Sequence, residues 1–327
     1  MEDVIIFWDA LDGQTALVDG YVSFYSFCRN KSGYSGVATY CREDASPVAA
    51  EQGITGQLAG ENSDIGYCQD VLDAFGIEDL RALDAEGRTL ITQHLLEGDA
   101  IMDVINVYCP RADPDRPHRL EFKLKFYQAL ELRAKALVKA GHYVLIVGDL
   151  NTSHRRIDHC NPESYIEEEF DEEPCRLWLD KFLNEAGFID TFRWFHPDQS
   201  LLKYFRDSQI LSDIFGSDHC PVKGFLDVNF AQVPGPTCLP SLCTKFYPEF
   251  TGKQMTMKNF LQQKHNYMGH HVDTLCDSIP VERSSKREEE APSLFQAFPT
   301  LLSQNSAKKR TKSRQAVLVM LSWHWTS

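Results

Sequence analysis

The 327-residue chain is long enough for one large or two modest domains, and its 43% hydrophobic and 24% charged residues are those of a globular protein. No stretch approaches the roughly 18 consecutive apolar residues of a membrane span, and the opening Met-Glu-Asp-Val-Ile-Ile-Phe has neither a basic leader nor a small-residue cleavage site, so membrane and secretory classes are set aside. A net charge of −14 argues against a general nucleic-acid coat. A local basic groove or a divalent cation can still offset repulsion of phosphate. The ten cysteines read as reduced thiols of the cytosol or nucleus, and Cys238 and Cys243, a lone C-x₄-C, as ordinary thiols rather than a zinc site.

Along the chain, residues 21–28 and 36–41 are strand-like and flank Asn30-Lys31-Ser32-Gly33-Tyr34-Ser35, whose Gly and Asn suit a hairpin loop. A second strand pair, 88–96 and 102–109, surrounds Glu97-Gly98-Asp99. From 119 to 140, Leu120, Leu124, Tyr127, Leu130, Ala134 and Leu137 recur at helical spacing, and Gly141 is a natural stop. Residues 143–147 are apolar and rich in β-branched side chains, which predicts a strand buried on both faces. The acidic run 163–173 reads as a solvated loop or helix start. Residues 175–186 predict a helix with Trp178, Leu179, Phe182 and Leu183 inward. This order implies mixed sheets with helices outside, in a layered α/β sandwich.

The predicted catalytic domain spans residues 1–230. Pro234, Pro236 and Pro240 begin a linker and tail, 231–327, expected to be largely disordered from Lys264 onward. Within it Lys308-Lys309-Arg310-Thr311-Lys312-Ser313-Arg314 is a basic cluster of the nuclear-import or nucleic-acid-contact type, and 315–327 is apolar and aromatic without pattern.

Chemistry concentrates at strand ends. Gly148-Asp149-Leu150-Asn151 sets a carboxylate and an amide where α/β folds collect ligands, and both are oxygen donors of the kind Mg²⁺ prefers. Asn106-Val107-Tyr108-Cys109-Pro110 ends another strand with polar side chains, and Ser217-Asp218-His219 supplies a second carboxylate and an imidazole able to handle a proton near neutral pH. Each motif alone also fits a structural role, such as an Asx turn or a satisfied histidine.

The order of the three motifs matches the endonuclease/exonuclease/phosphatase superfamily. The blocks 31–38 (with Ser32-Gly33-Tyr34-Ser35-Gly36), 81–88 (with Arg81-Ala82-Leu83-Asp84), 105–110, 148–152 and 216–222 resemble its apurinic/apyrimidinic endonuclease 2 branch, over about residues 10–262. The resemblance implies a four-layered α/β sandwich and Mg²⁺- or Mn²⁺-dependent cleavage of DNA phosphodiesters, at abasic sites and, as a 3′→5′ exonuclease, at 3′ ends. It implies that Asp149 orients or deprotonates the attacking water, Asn151 holds the phosphate or the metal, Tyr108 donates to a phosphate oxygen, Asp218 is a metal-associated carboxylate and His219 stabilises charge on the phosphate. Metal ligands are thus expected among Asp149, Asn151, Asp218 and His219. Arg29 and Lys31 are expected either to touch the DNA backbone or to be plain solvated charges. The protein is expected to be a nuclear monomer, with cytoplasmic or mitochondrial location as alternatives.

Three family segments have no counterpart: a strand ending Ser-Trp-Asn, one ending Gln-Glu-Thr, for whose Glu Asp9 is a weak substitute, and a Leu-Asp-Tyr strand that would orient His219. Such gaps are expected of an alternatively spliced or mispredicted gene product, and they predict impaired or absent catalysis. A superfamily phosphatase or lipid phosphodiesterase is the alternative enzyme. The alternative of another class is a non-catalytic DNA-binding or sliding-clamp-binding protein, because Gln254, Met257, Phe260 and Leu261 approximate a clamp-docking motif with anchors at i, i+3 and i+6.

Overall fold

The computed structural model describes residues 11–58, 65–113, 115–159, 163, 166–195, 205–211, 219–220, 222–231, 239–251, 317–319 and 323–324. In chain order the elements are α1 (Gly13–Ala16), β1 (Tyr21–Ser26), β2 (Val37–Arg42), β3 (Ala49–Gln52), α2 (Gln69–Ala74), α3 (Ile77–Ala85), β4 (Thr89–Leu95), β5 (Ile101–Tyr108), α4 (Pro117–Lys139) and β6 (Tyr143–Asp149). They continue with α5 (Glu167–Asp171), α6 (Pro174–Asn184), β7 (Ile189–Asp190), α7 (Thr191–Phe195), β8 (Phe205–Ile210), β9 (His219–Cys220), β10 (Val222–Leu226), β11 (Val317–Val319) and β12 (Trp323–His324).

Both hairpins and both long helices expected from the sequence form, with ends shifted by a residue or two. Proline at the first turn starts α4 and α6, where its missing N–H costs nothing, and the Glu173 side chain accepts from the Arg176 N–H at the start of α6. The main sheet runs β3-β4-β5-β6-β11-β7. It is antiparallel through β5 and parallel from there on.

Each face of this sheet has its own core. On one face Ile105, Val107, Val144 and Ile146 meet Phe126, Tyr127, Leu130, Ala134 and Leu137 of α4 and Leu179 and Phe182 of α6. On the other the β1–β2 hairpin lies against β3, β4 and β5, enclosing Val22, Phe24, Val37, Cys41, Ala50 and Leu90. Helices, sheet and hairpin are therefore three successive layers.

The sequence pattern of β6 implied burial on both faces. Instead Val144 and Ile146 are buried while Tyr143, Leu145 and Val147 are half-buried. The helical core seals one face, whereas the hairpin packs mainly over β3 to β5.

The stretch after residue 230 contributes more than a pattern-free reading suggests. Thr244 bonds to the Ser23 hydroxyl at 2.6 Å and donates to the Ala16 carbonyl at 3.0 Å, and Cys243 joins the hairpin core as a buried free thiol. β11 lies between β6 and β7, with Leu318 opposite Leu145 on one side and Ile189 on the other. β12 pairs with β9, His324 opposite His219.

Candidate active site

The parallel pairing of β5 with β6 builds the candidate site. It sets Tyr108 directly opposite Asp149 at the last rung. Residues paired across a ladder point to the same face, so Asn106, Tyr108 and Asp149 share the face toward the hairpin layer. Asn106 confirms that orientation by donating to the Ala38 carbonyl at 2.8 Å and to the Thr39 hydroxyl at 3.1 Å.

Gly148 makes the rung possible. Its φ is +103°, and a Cβ there would sit 2.1 Å from the Val107 carbonyl oxygen. Past it, the Asp149 Oδ1 accepts the Asn151 N–H at 2.6 Å, an Asx turn that reverses the chain, and Asn151 takes the left-handed conformation at φ +54°. Asn151 Nδ2 donates to the Cys109 carbonyl at 2.9 Å, and the Cys109 N–H to the Asp149 carbonyl at 2.8 Å. Tyr108, Asp149 and Asn151 thereby form one hydrogen-bonded strand-end unit.

The turn rests on α4. The Lys123 ammonium donates to the Asn151 carbonyl at 2.5 Å, and the Tyr127 hydroxyl to the Leu150 carbonyl at 2.5 Å, with Thr152 Oγ1 2.7 Å away. Burial pushes the Tyr127 phenol well above its ordinary value, so it stays a neutral donor. Burial, then the neighbouring Asp149 carboxylate, does the same to the Cys109 thiol, which excludes Cys109 as a thiolate nucleophile.

A second polar set lies beside Tyr108. Arg88, 3% exposed, donates to Glu86 at 2.5 Å, to the Tyr108 carbonyl at 2.9 Å and to the Tyr34 hydroxyl at 3.2 Å. Arg119 donates to the same Glu86 at 2.7 Å and to Tyr34 at 3.3 Å. Burial alone would raise Glu86, but the Arg119 and Arg88 guanidiniums outweigh it and hold the carboxyl below its ordinary value.

Sequence reasoning missed Lys123, Tyr127 as a hydrogen-bond donor, and the Glu86–Arg88–Arg119 set. A lysine four residues before Tyr127 on the buried helical stripe was the available signal for the first two. The third joins distant segments and leaves no spacing to read.

Of the remaining expected site residues, Arg29 and Lys31 are both exposed on the hairpin loop, where Arg29 donates to Gln52 at 2.6 Å and the Lys31 ammonium lies 4.6 Å from the Tyr34 ring centroid. His219 begins β9, whose pairing among the described residues is with β12, not with β5 or β6. Asp9, Asp218 and Cys238, together with Gln254, Met257, Phe260 and Leu261, lie outside the described residues. Among the described residues no group of three or more His, Cys, Asp or Glu could hold a metal ion.

Residues 6–219 match the Endonuclease/Exonuclease/phosphatase family. The chain is 45% identical to the DNA-(apurinic or apyrimidinic site) endonuclease 2 of Mus musculus and to that of Homo sapiens, each over 296 residues that cover 77% of the chain and 56% of the relative. It thus spans about half the length of these curated relatives. The crystal structure of the Xenopus laevis APE2 catalytic domain superposes with a TM-score of 0.67 at 40% identity, covering 77% of the chain and 88% of that domain. The four-layered sandwich expected from the motifs is the fold of that domain's family, and the chain belongs to the Endonuclease/Exonuclease/phosphatase family.

Proposed function

We propose that the chain is by family a DNA-repair nuclease that hydrolyses phosphodiesters at abasic sites and at 3′ ends with Mg²⁺ or Mn²⁺ as cofactor, at a rate impaired by the three missing segments. The observation that carries this reading is the β5–β6 register, which sets the Tyr108 and Asp149 side chains next to each other at the C-terminal ends of two central strands, in a chain similar to relatives named for cleavage at apurinic or apyrimidinic sites.

The donor chemistry fits a hard cation. Asp149 offers a carboxylate, and because Asn151 Nδ2 is committed to Cys109, the amide oxygen is the atom Asn151 has to give. Mg²⁺ is commonly held by one or two carboxylates with waters and substrate phosphate completing its shell, so Asp149, Asn151, Asp218 and His219 would hold it. When bound, the cation supplies charge neutralisation at the phosphate.

The chain's own residues then divide the work. Asp149 holds the attacking water and takes its proton. Tyr108 donates its O–H to a nonbridging phosphate oxygen, where negative charge builds during in-line attack. Asn151 fixes the phosphate, and His219 offsets charge on it. Arg29 and Lys31 would contact the DNA backbone from the hairpin loop.

The same reading assigns catalysis to residues 1–230, clamp docking to Gln254, Met257, Phe260 and Leu261, and nuclear import to the basic cluster at 308–314. Nicking of a duplex with one abasic site by the purified chain in Mg²⁺, beside Asp149→Ala, tests the function. Nicking that the substitution abolishes supports it. Equal rates in the two proteins, or none in either, overturn it for this chain.

A further inference from the structure

Arg88 makes more contacts with Tyr108 than a structural arginine needs. The Arg88 carbonyl accepts the Tyr108 N–H at 2.9 Å, and Arg88 Nη1 returns a bond to the Tyr108 carbonyl at 2.9 Å. The guanidinium carbon also lies over the Tyr108 ring, 4.9 Å from its centroid, and 5.3 Å from that of Tyr34. Two backbone bonds and a stacked cation fix one residue at both its backbone and its ring.

We propose that Arg88 is a positioning residue for Tyr108, clamping the ring at the end of β5 and holding a positive charge against its face. The proposal rests on the reading of Tyr108 as a phosphate-oxygen donor. Guanidinium suits the task better than ammonium, because its planar fork can stack and donate in several directions together. Glu86 sets the fork's angle by accepting from Arg88 Nε at 2.5 Å, while Arg119 shares that carboxylate at 2.7 Å. Two guanidiniums on one carboxylate leave one net positive charge at the cluster.

The charges facing Tyr108 decide the sign of the effect. Asp149 stands opposite it on β6, and Arg88 and Glu86 flank it from the turn before β4. The apolar cluster on which the ring packs holds the thiols of Cys41, pushed up to about 12 chiefly by burial, and Cys243, also raised by burial, so both stay neutral. Arg88 is then the cation nearest the ring among these groups. A cation over the ring face is attracted by the ring's quadrupole, so the guanidinium holds the ring where the two backbone bonds hold the chain. The hydroxyl of Tyr34 receives bonds from both arginines, so the hairpin loop that carries Lys31 is tied to the same clamp.

The test reads the Tyr108 ring directly, in full-length protein carrying ¹³Cε-labelled tyrosine, its resonances identified by Tyr108→Phe. Replacing Arg88 by Gln should speed the flipping of the Tyr108 ring by about tenfold, and Arg88→Lys should recover part of that loss of restraint. An unchanged flip rate in cooperatively folded Arg88→Gln overturns the proposal. If that variant does not fold, the unaltered protein decides. The Arg88 ¹⁵Nε resonance should carry a ring-current shift that disappears in Tyr108→Leu, and a resonance left unmoved by that substitution refutes the clamp. Neither readout needs nuclease activity, so failure of the functional reading and failure of this one are separable.

Discussion

Two aspartates end strands of the same sheet and have opposite fates. Asp149 closes β6 and Asp190 closes β7, with β11 between them. Asp149 stays partly exposed because Gly148 and the Asx turn through Asn151 carry the chain away from it. Asp190 is 6% exposed, since α7 begins at the next residue and seats its Arg193 N–H on the carboxylate at 3.1 Å. Arg193 also pairs with the buried Asp158, and burial pushes both carboxyls above their ordinary value. The letter is the same, and the backbone that follows decides whether the residue stays partly accessible at the strand end or is buried in packing.

The strongest way to break this contrast is Gly148→Ala. A methyl group 2.1 Å from a carbonyl oxygen at positive φ cannot be absorbed by rotamer change, so the substitution should cost on the order of 3–5 kcal/mol in urea unfolding and collapse the turn that exposes Asp149.

Exchanging roles at the two aspartates sharpens it. Asp190→Ala, which removes a helix cap and leaves Arg193 short of a partner, should cost about 2 kcal/mol. Asp149→Ala should change stability by about 0.5 kcal/mol while lowering Mg²⁺-dependent nicking by roughly 10² or more. Urea unfolding and abasic-site nicking measured on both variants would expose the reverse pattern, which the contrast forbids.

The smallest effect is in pH. Asp190 has a raised folded pKa, so its contribution is present below the ordinary carboxylate value and is lost as pH rises through the folded one. Glu86 has a lowered folded pKa, so its contribution is present above the ordinary value and is lost as pH falls through the folded one. In profiles of the unfolding midpoint against pH, Asp190→Asn should remove the first slope and Glu86→Gln the second.

Local order was legible because it is written at short range. The stripe through Tyr127, Leu130 and Ala134, the turn residues between β1 and β2, and the apolar run into Gly148-Asp149-Leu150-Asn151 all lie within a few residues of the structure they specify. Tyr108 and Asn151 could be named from their motifs, but the ladder that joins them is a pairing between strands separated by a helix. The stack of Arg88 on Tyr108 and the shared Glu86 escaped for the same reason, since nothing in their spacing marks a meeting in space. β3 is too short for a pattern, and Val317-Leu318-Val319 has no local partner from which its register could be read.

Position β11 has a consequence for how the molecule comes into being. β6 and β7 emerge from the ribosome long before residues 317–319 can separate them. A nascent chain therefore carries two raw parallel edges, an invitation to chaperones or to self-association, until its distant third strand arrives to seal the gap.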